Sequence, residues 1–166
     1  MSHVRPHMTA LLTNSHIYRA IAEEAYAEAK RLEEEARVPK PDGSPGYVIS
    51  LDPSRSSYKQ SLIAIAFSGV YLESLLFLKG TQRMGKRWNQ IFDKKTYEEK
   101  LMELGATEEL LIQAAKRLRI SRKELVHEKA SPVGELALGS TYWAQTEAAA
   151  AIECIRKASL ALQNAA

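Results

Sequence analysis

Apolar positions recur at intervals of three and four residues along most of the chain, which is the period of an amphipathic α-helix. This pattern predicts long helices over about 9–37, 54–79, 107–130 and 141–163, and a short helix over about 96–105. Short connections between long helices are typical of a bundle. The expected fold class is therefore all-α, an antiparallel bundle of four to five helices.

The second long helix differs from the others because its apolar residues cover more than one face. Such wide coverage is typical of a central helix that is buried on several sides. Gly80 is the expected stop of this helix, since glycine is common just after a helix end. In the fourth predicted helix, Leu111, Leu118 and Leu125 lie a heptad apart and form the expected packing stripe.

Helix boundaries are indicated by capping residues and by helix breakers. Three prolines and two glycines fall within 38–46, which predicts a loop. The segment 47–50 has the composition of a short strand but no obvious partner. Asp52 and Pro53 have the order of an N-cap followed by a first-turn proline. Four further boundary residues are predicted: Thr96 with Glu99 as a capping box, Gly105 as a stop, Thr107 as a cap and Pro132 as a helix end.

Length and composition bound the class of protein. The 166 residues fit one domain, predicted over 9–166, with a flexible N-terminal arm over 1–8. Every apolar run is interrupted well before the roughly 20 residues that span a bilayer, and the N-terminus lacks the apolar core of a secretory signal. We therefore expect a cytoplasmic protein without a membrane partner. The single cysteine, Cys154, excludes an internal disulfide and is interpreted as a core residue.

The stretch RKELVHEK, from Arg122 to Lys129, contains the residues best suited to chemistry. Histidine can act as a general acid or base near neutral pH, and arginine binds phosphate oxygens with its forked donors. Arg122 and His127 are five residues apart, or about 140° around an ideal helix, so they do not share a face. They would converge if a second helix, or a second copy of the chain, closed over that flank. A pair so placed could bind a phosphodiester and move the proton of a ribose 2′-hydroxyl without a metal.

Glu73 is a further candidate because it is a lone carboxylate in the apolar run VYLESLLFL. A buried carboxylate needs a partner, so Glu73 is expected at a cleft or paired with Arg122 or another arginine of the fourth predicted helix. Both a catalytic role and a structural ion pair remain open for it. Basic residues that could contact RNA phosphates, with a tryptophan that could stack on a base, are Lys116, Arg117, Arg119, Lys123, Arg87 and Trp88.

No cofactor or metal is expected from the sequence. Glu124 and His127 form one Glu-x-x-His pair, but a di-iron bundle needs a second such pair. The chain also lacks a glycine-rich phosphate loop and the cysteine spacing of a zinc site. A net charge of +3 is too small by itself to indicate nucleic acid.

Three segments together resemble the HEPN superfamily: SRKELVHEK at the end of the penultimate long helix, AFSGVYLESLLF in the second, and TYEEKLMELGATEELL between them. The resemblance covers residues 54–163. It implies a helical bundle that dimerises with two motifs at the shared interface, and in many members a metal-independent endoribonuclease of the toxin or defence type. It also implies an antitoxin partner, Arg122 as the phosphate ligand and His127 as acid or base. Lys123 stands where active members often carry Asn, Asp or His. Other members are non-catalytic modules that bind RNA, a nucleotide or a protein, and an unrelated bundle with a coincidental motif is the third alternative.

Overall fold

The computed structural model describes residues 13–49, 54–126 and 136–164. Apart from one β-hairpin, these residues are helical wherever they are regular, so the expected all-α class is confirmed. The elements are α1 (Ser15–Glu35), β1 (Arg37–Pro39), β2 (Tyr47–Ile49), α2 (Ser56–Met84), α3 (Lys86–Ile91), a 3₁₀ turn (Phe92–Lys94), α4 (Tyr97–Glu103), α5 (Glu109–Val126) and α6 (Leu136–Asn164). The predicted arm over 1–8 lies outside the described residues.

Helix α2 is the centre of the molecule, as its wide apolar coverage predicts. It packs against α1, α5 and α6, and also against the short helices α3 and α4. Ile65, Leu72 and Leu76 of α2 are fully buried in one core together with Leu118 of α5 and Ile155 of α6. The predicted stripe of α5 is confirmed, since Leu111 and Leu118 are buried and Leu125 packs against the core.

The first two long helices run antiparallel. The Ser57 hydroxyl, near the start of α2, donates to the Ala29 carbonyl near the end of α1 at 3.2 Å. Further along, the rings of Tyr18 and Phe67 lie 6.3 Å apart. Small residues line this contact, with Ala25 and Ala29 buried, so the two backbones can approach closely.

The connection between α1 and α2 contains a β-hairpin that the sequence pattern predicts only in part. Strand β2 pairs antiparallel with β1, and Val38 lies opposite Val48. The sequence pattern assigns residue 37 to the first helix and 38–46 to a loop, which leaves β2 without a partner, whereas the helix ends at Glu35 and β1 occupies Arg37–Pro39. The residues before Pro39 favour extended backbone, which suits a strand better than a helix end. The predicted cap at Asp52 and Pro53 lies outside the described residues.

The predicted stop of α2 at Gly80 is wrong. The helix continues to Met84 and ends at Gly85, whose φ of 57° is in the left-handed region that glycine adopts without strain. Gly80 is instead buried inside the helix, where the Trp88 indole lies against its backbone. Gly80 lacks a side chain so that the Trp88 indole can pack there. The rule that glycine often follows a helix end cannot distinguish this role from a helix stop.

The capping box of α4 is confirmed in both directions. The Glu99 backbone amide donates to Thr96 Oγ1 at 3.4 Å, and the Thr96 amide donates to Glu99 Oε2 at 2.7 Å. Gly105, with φ of 81°, follows the end of this helix as expected. These interactions fix the direction in which α4 presents its side chains.

Two other boundaries differ from the prediction. Helix α5 begins at Glu109, one residue later than a cap at Thr107 predicts. Its first backbone hydrogen bond joins the Ile112 amide to the Glu108 carbonyl at 3.0 Å. Helix α6 begins at Leu136, five residues before the predicted start at 141, despite an internal glycine. The predicted helix end at Pro132 lies outside the described residues.

Helix α2 is also long and apolar enough to cross a membrane by length and composition, and within the described ranges it alone meets that test. Half of its most apolar window is buried inside the molecule, and the core helix of a bundle meets the same test. The expected cytoplasmic location stays a prediction.

Cys154 is fully buried, which confirms its interpretation as a core residue, and this burial raises its pKa to about 12.

Candidate functional site

Arg122 and Glu73 form an ion pair between α5 and α2. Arg122 Nη1 donates to Glu73 Oε2 at 2.9 Å, with the two side chains 35% and 42% exposed. The expected pairing of Glu73 with an arginine of this helix is therefore confirmed. Because both groups are partly solvated, the pair contributes at most about 1 kcal/mol to stability, and its importance is positional.

Two residues of the neighbouring elements hold the Arg122 side chain in place. The Tyr97 hydroxyl accepts a hydrogen bond from Arg122 Nη1 and itself donates to the Gly69 carbonyl at 3.4 Å. A Cβ at position 69 would lie 2.6 Å from Arg122 Cδ, so the arginine stem passes against α2 at Gly69, and a side chain there would make the stem shift. Gly69 and Glu73 are one helical turn apart, and the arginine follows this face of α2.

Arg122, Glu73 and Tyr97 form one cluster. Within it, the pKa values of Arg122 and Tyr97 follow from burial and from the neighbouring charges. Burial disfavours the charged form of Arg122, but the hydrogen bonds and charges of Glu73 and Tyr97 outweigh it and raise the pKa of the guanidinium. Burial is also the largest influence on Tyr97 and raises the pKa of its hydroxyl, which Arg122 partly offsets. At neutral pH the cluster therefore contains a permanent cation and a neutral phenol.

The cluster opens into a cleft of about 540 Å³. In the described part of the chain, basic side chains dominate its lining: Lys94, Lys95, Lys100, Arg119, Arg122 and Lys123. The acidic side chains of the lining are Glu73 and Asp93. An excess of cations in a concave surface raises the local concentration of anions.

Not all of these cations are equally available to a ligand. Arg119 makes a forked ion pair with Glu98, at 2.7 and 3.2 Å, and Lys95 is paired with Glu103 at 2.5 Å. Lys123 is exposed at the rim of the cleft. Within the described residues Lys123 makes no ion pair. An anion that enters the cleft can therefore contact Lys123 without displacing a carboxylate.

The remaining residues predicted to bind RNA lie elsewhere. Arg117 makes a forked ion pair with Glu147 of α6, at 2.7 and 3.1 Å. Lys116 is exposed beside this pair, at a smaller cleft of about 360 Å³ between α5 and α6. Arg87 is exposed on α3. The structure therefore places Arg119 and Lys123 with Arg122, and separates Lys116, Arg117 and Arg87 from them.

The predicted stacking role of Trp88 is corrected by its burial. The indole is 0% exposed, with its ring centre 5.9 Å from that of Phe92 and its face against Gly80. A ring enclosed on all sides cannot stack on a base. Its basic neighbours in the sequence suggested an RNA contact, but the apolar pocket beside α2 determines its position.

His127 lies outside the described residues, and its role stays a prediction. The structure therefore shows one half of the Arg122–His127 pair. Within the described ranges there is no group of three His, Cys, Asp or Glu side chains that could hold a metal ion.

Sequence reasoning missed three residues around Arg122, namely Gly69, Tyr97 and Lys100. Each had a local signal. Gly69 lies four residues before Glu73 in an otherwise apolar helix, and Tyr97 and Lys100 are three residues apart just after the Thr96 cap. These spacings place side chains on one face, but they do not show which helix that face meets.

Comparison of the chain with protein-family models, with curated proteins and with solved structures finds no match.

Proposed function

We propose that this chain is a HEPN-like RNA-binding protein that acts as a metal-independent endoribonuclease of the toxin or defence type. The observation that carries the proposal is the position of Arg122, the arginine of the RKELVH motif, in a cleft with mainly basic lining. A fixed guanidinium in such a cleft suits a phosphodiester, because it can donate two parallel hydrogen bonds to phosphate oxygens.

In this proposal Arg122 binds the scissile phosphate and stabilises the charge that grows on its oxygens. His127 takes the proton of the ribose 2′-hydroxyl or delivers a proton to the 5′-oxygen that leaves. The 2′-oxygen forms a bond to phosphorus as the 5′-oxygen bond breaks, which leaves a cyclic phosphate. A second copy of the chain supplies the second motif, so the active form is a homodimer, and an antitoxin is the expected protein partner.

Glu73 supports this proposal as a positioning residue. Its carboxylate accepts from Arg122 Nη1, and within the described residues Nη2 has no hydrogen-bond partner. A phosphate that binds Arg122 must share the cation with this carboxylate. The same observation favours a second candidate function, a non-catalytic HEPN-like module, because Arg122 already has two protein partners.

A cleavage assay in the presence of EDTA tests the proposal. The wild-type chain and the Arg122→Ala, His127→Ala and Arg156→Ala variants are incubated with mixed RNA, after circular dichroism shows that each is folded. Arg156 is the matched control, since it is an exposed arginine paired with Glu23 and lies outside the cleft. We expect cleavage by the wild type and the control and its loss in the other two.

The other outcomes separate the alternatives. RNA binding that depends on Arg122, without cleavage by any form, favours the non-catalytic module. Cleavage that survives in both Arg122→Ala and His127→Ala, or the absence of both binding and cleavage, overturns the proposal. Sedimentation of the wild type tests the homodimer, and a chain that stays monomeric at assay concentration contradicts it.

A further inference from the structure

Lys100 is a buried lysine whose ammonium group reaches the cleft. The residue is 4% exposed and lies on α4, three positions after Tyr97. Its Nζ is 3.6 Å from the ring centre of Phe92 and 6.0 Å from that of Tyr97. Within the described residues its ammonium makes no hydrogen bond or ion pair, and Nζ is not sealed off from the cleft, so it can donate to a group bound there.

A cation in this position is costly unless something compensates it. The Phe92 ring stabilises the ammonium through its π-face, but it is a single aromatic contact. Burial lowers the pKa of Lys100, and the nearby charges of Glu73 and Asp93 only partly oppose that effect. An anion in the cleft would accept hydrogen bonds from the ammonium and favour its charged form.

Lys100 and Arg122 are both close to the same tyrosine and line the same cleft. Arg122 is hydrogen-bonded to the Tyr97 hydroxyl, and Lys100 Nζ is near the Tyr97 ring. Both cations line the cleft and both experience the charge of Glu73. One tetrahedral anion between them would accept from the guanidinium on one side and from the ammonium on the other.

We infer that Lys100 and Arg122 together form a phosphate subsite, in which the ammonium of Lys100 donates to the same phosphate group that Arg122 binds. The inference rests on the proposed function for its ligand class and deepens it by naming a second phosphate ligand. The shared chemistry is a phosphate group with anionic oxygens. Its source is either an RNA strand or a free phosphate, and the two have separate arms in the test.

The first measurement is made on the unmodified chain. Lysine side-chain resonances are followed by NMR while inorganic phosphate, or an oligouridylate with 2′-O-methyl groups that block cleavage, is added. The Lys100 resonance is assigned from its absence in Lys100→Arg. We expect it to shift and saturate with at least one probe, while the resonance of the exposed Lys59 on α2 does not move.

The second measurement compares affinities. Lys100→Met keeps an unbranched apolar stem against Phe92 and removes the charge, and Lys59→Met removes the same charge outside the cleft. Loss of a charge-assisted hydrogen bond to phosphate is expected to weaken binding about tenfold or more in Lys100→Met. Lys59→Met and the wild type should bind alike.

The outcomes separate this inference from the proposed function. If phosphate shifts Lys100 in an Arg122-dependent way but RNA is neither bound nor cleaved, the subsite stands, with free phosphate as its source, and the proposed function fails. If RNA is bound through Arg122 while the Lys100 resonance does not shift and Lys100→Met binds with wild-type affinity, the subsite is overturned. Phosphate shifts that persist in Arg122→Ala, or no response to either probe, also overturn it.

Discussion

The contact between Gly80 and Trp88 predicts how a side chain at position 80 changes the free energy of unfolding. A Cβ at position 80 would lie 2.0, 2.2 and 2.3 Å from three atoms of the Trp88 indole, well inside any real contact distance. The indole is fully buried, so it cannot move aside without disturbing the core around Phe92. We therefore expect Gly80→Ala to destabilise the protein.

The magnitude follows from two opposing effects. Alanine in a helix interior is more favourable than glycine by about 1 kcal/mol. Overpacking of a tight core typically costs about 1–3 kcal/mol, and a clash with three ring atoms belongs at the upper end of that range. The net effect is a loss of about 2 kcal/mol in the free energy of unfolding. For a chain of this length it corresponds to a fall of about 4–8 °C in Tm.

Urea unfolding followed by far-UV circular dichroism measures this effect. Gly69→Ala is the matched control, because it is the same change in the same helix. The nearest atom there is Cδ of Arg122, 2.6 Å away on a flexible side chain, and we expect a change within about 1 kcal/mol. In a Trp88→Leu background, where the ring is absent, Gly80→Ala should become stabilising by about 1 kcal/mol. A Gly80→Ala chain as stable as the wild type would refute the reasoning.

Three further predictions concern the site, a helix cap and the buried thiol. Glu73→Gln should change stability by less than about 1 kcal/mol, because the pair is partly exposed. It should bind phosphate more tightly by calorimetry, since the carboxylate that competes for Arg122 is gone, and weaker binding would contradict this. Thr96→Ala should lower the free energy of unfolding by about 1 kcal/mol through loss of the cap, and an unchanged urea midpoint would exclude that contribution. Burial raises the pKa of Cys154 from 9.0 to about 12, so the folded state holds the thiol proton more tightly than the unfolded state. Its contribution to stability is complete below pH 9.0 and is lost as the pH rises towards about 12, a loss that Cys154→Ala should lack when unfolding is measured against pH.

Features of the fold that depend on local chemistry could be predicted from the sequence. The capping box at Thr96 and the stop at Gly105 involve residues only a few positions apart, so the pattern contains all the necessary information. The central position of α2 also followed from its composition, because a helix that is apolar on several faces has to be buried on several faces. Errors occurred where a residue serves a distant contact, as Gly80 and Trp88 do.

The candidate site divides in the same way. Arg122 could be identified from its motif, and Glu73 from the cost of a carboxylate in an apolar helix. Tyr97 and Lys100 could not, because their role depends on α4 lying beside both α2 and α5. The predicted RNA contacts were separated in space because α5 has different neighbours along its surface: Arg117 pairs with Glu147 of α6, whereas Arg119 pairs with Glu98 of α4.

The sequence alone therefore determined that this protein is helical, that α2 is its core helix and that the Glu73 carboxylate of that helix needs a partner. Helical period, capping and burial cost act over short distances or on composition, and no knowledge of the packing is needed to apply them. Only the tertiary structure decided which cations share a cleft, that Trp88 is enclosed against Gly80, and that Lys100 reaches the cleft beside Arg122. Those features depend on which helix faces meet, and that is set by the packing of the whole core.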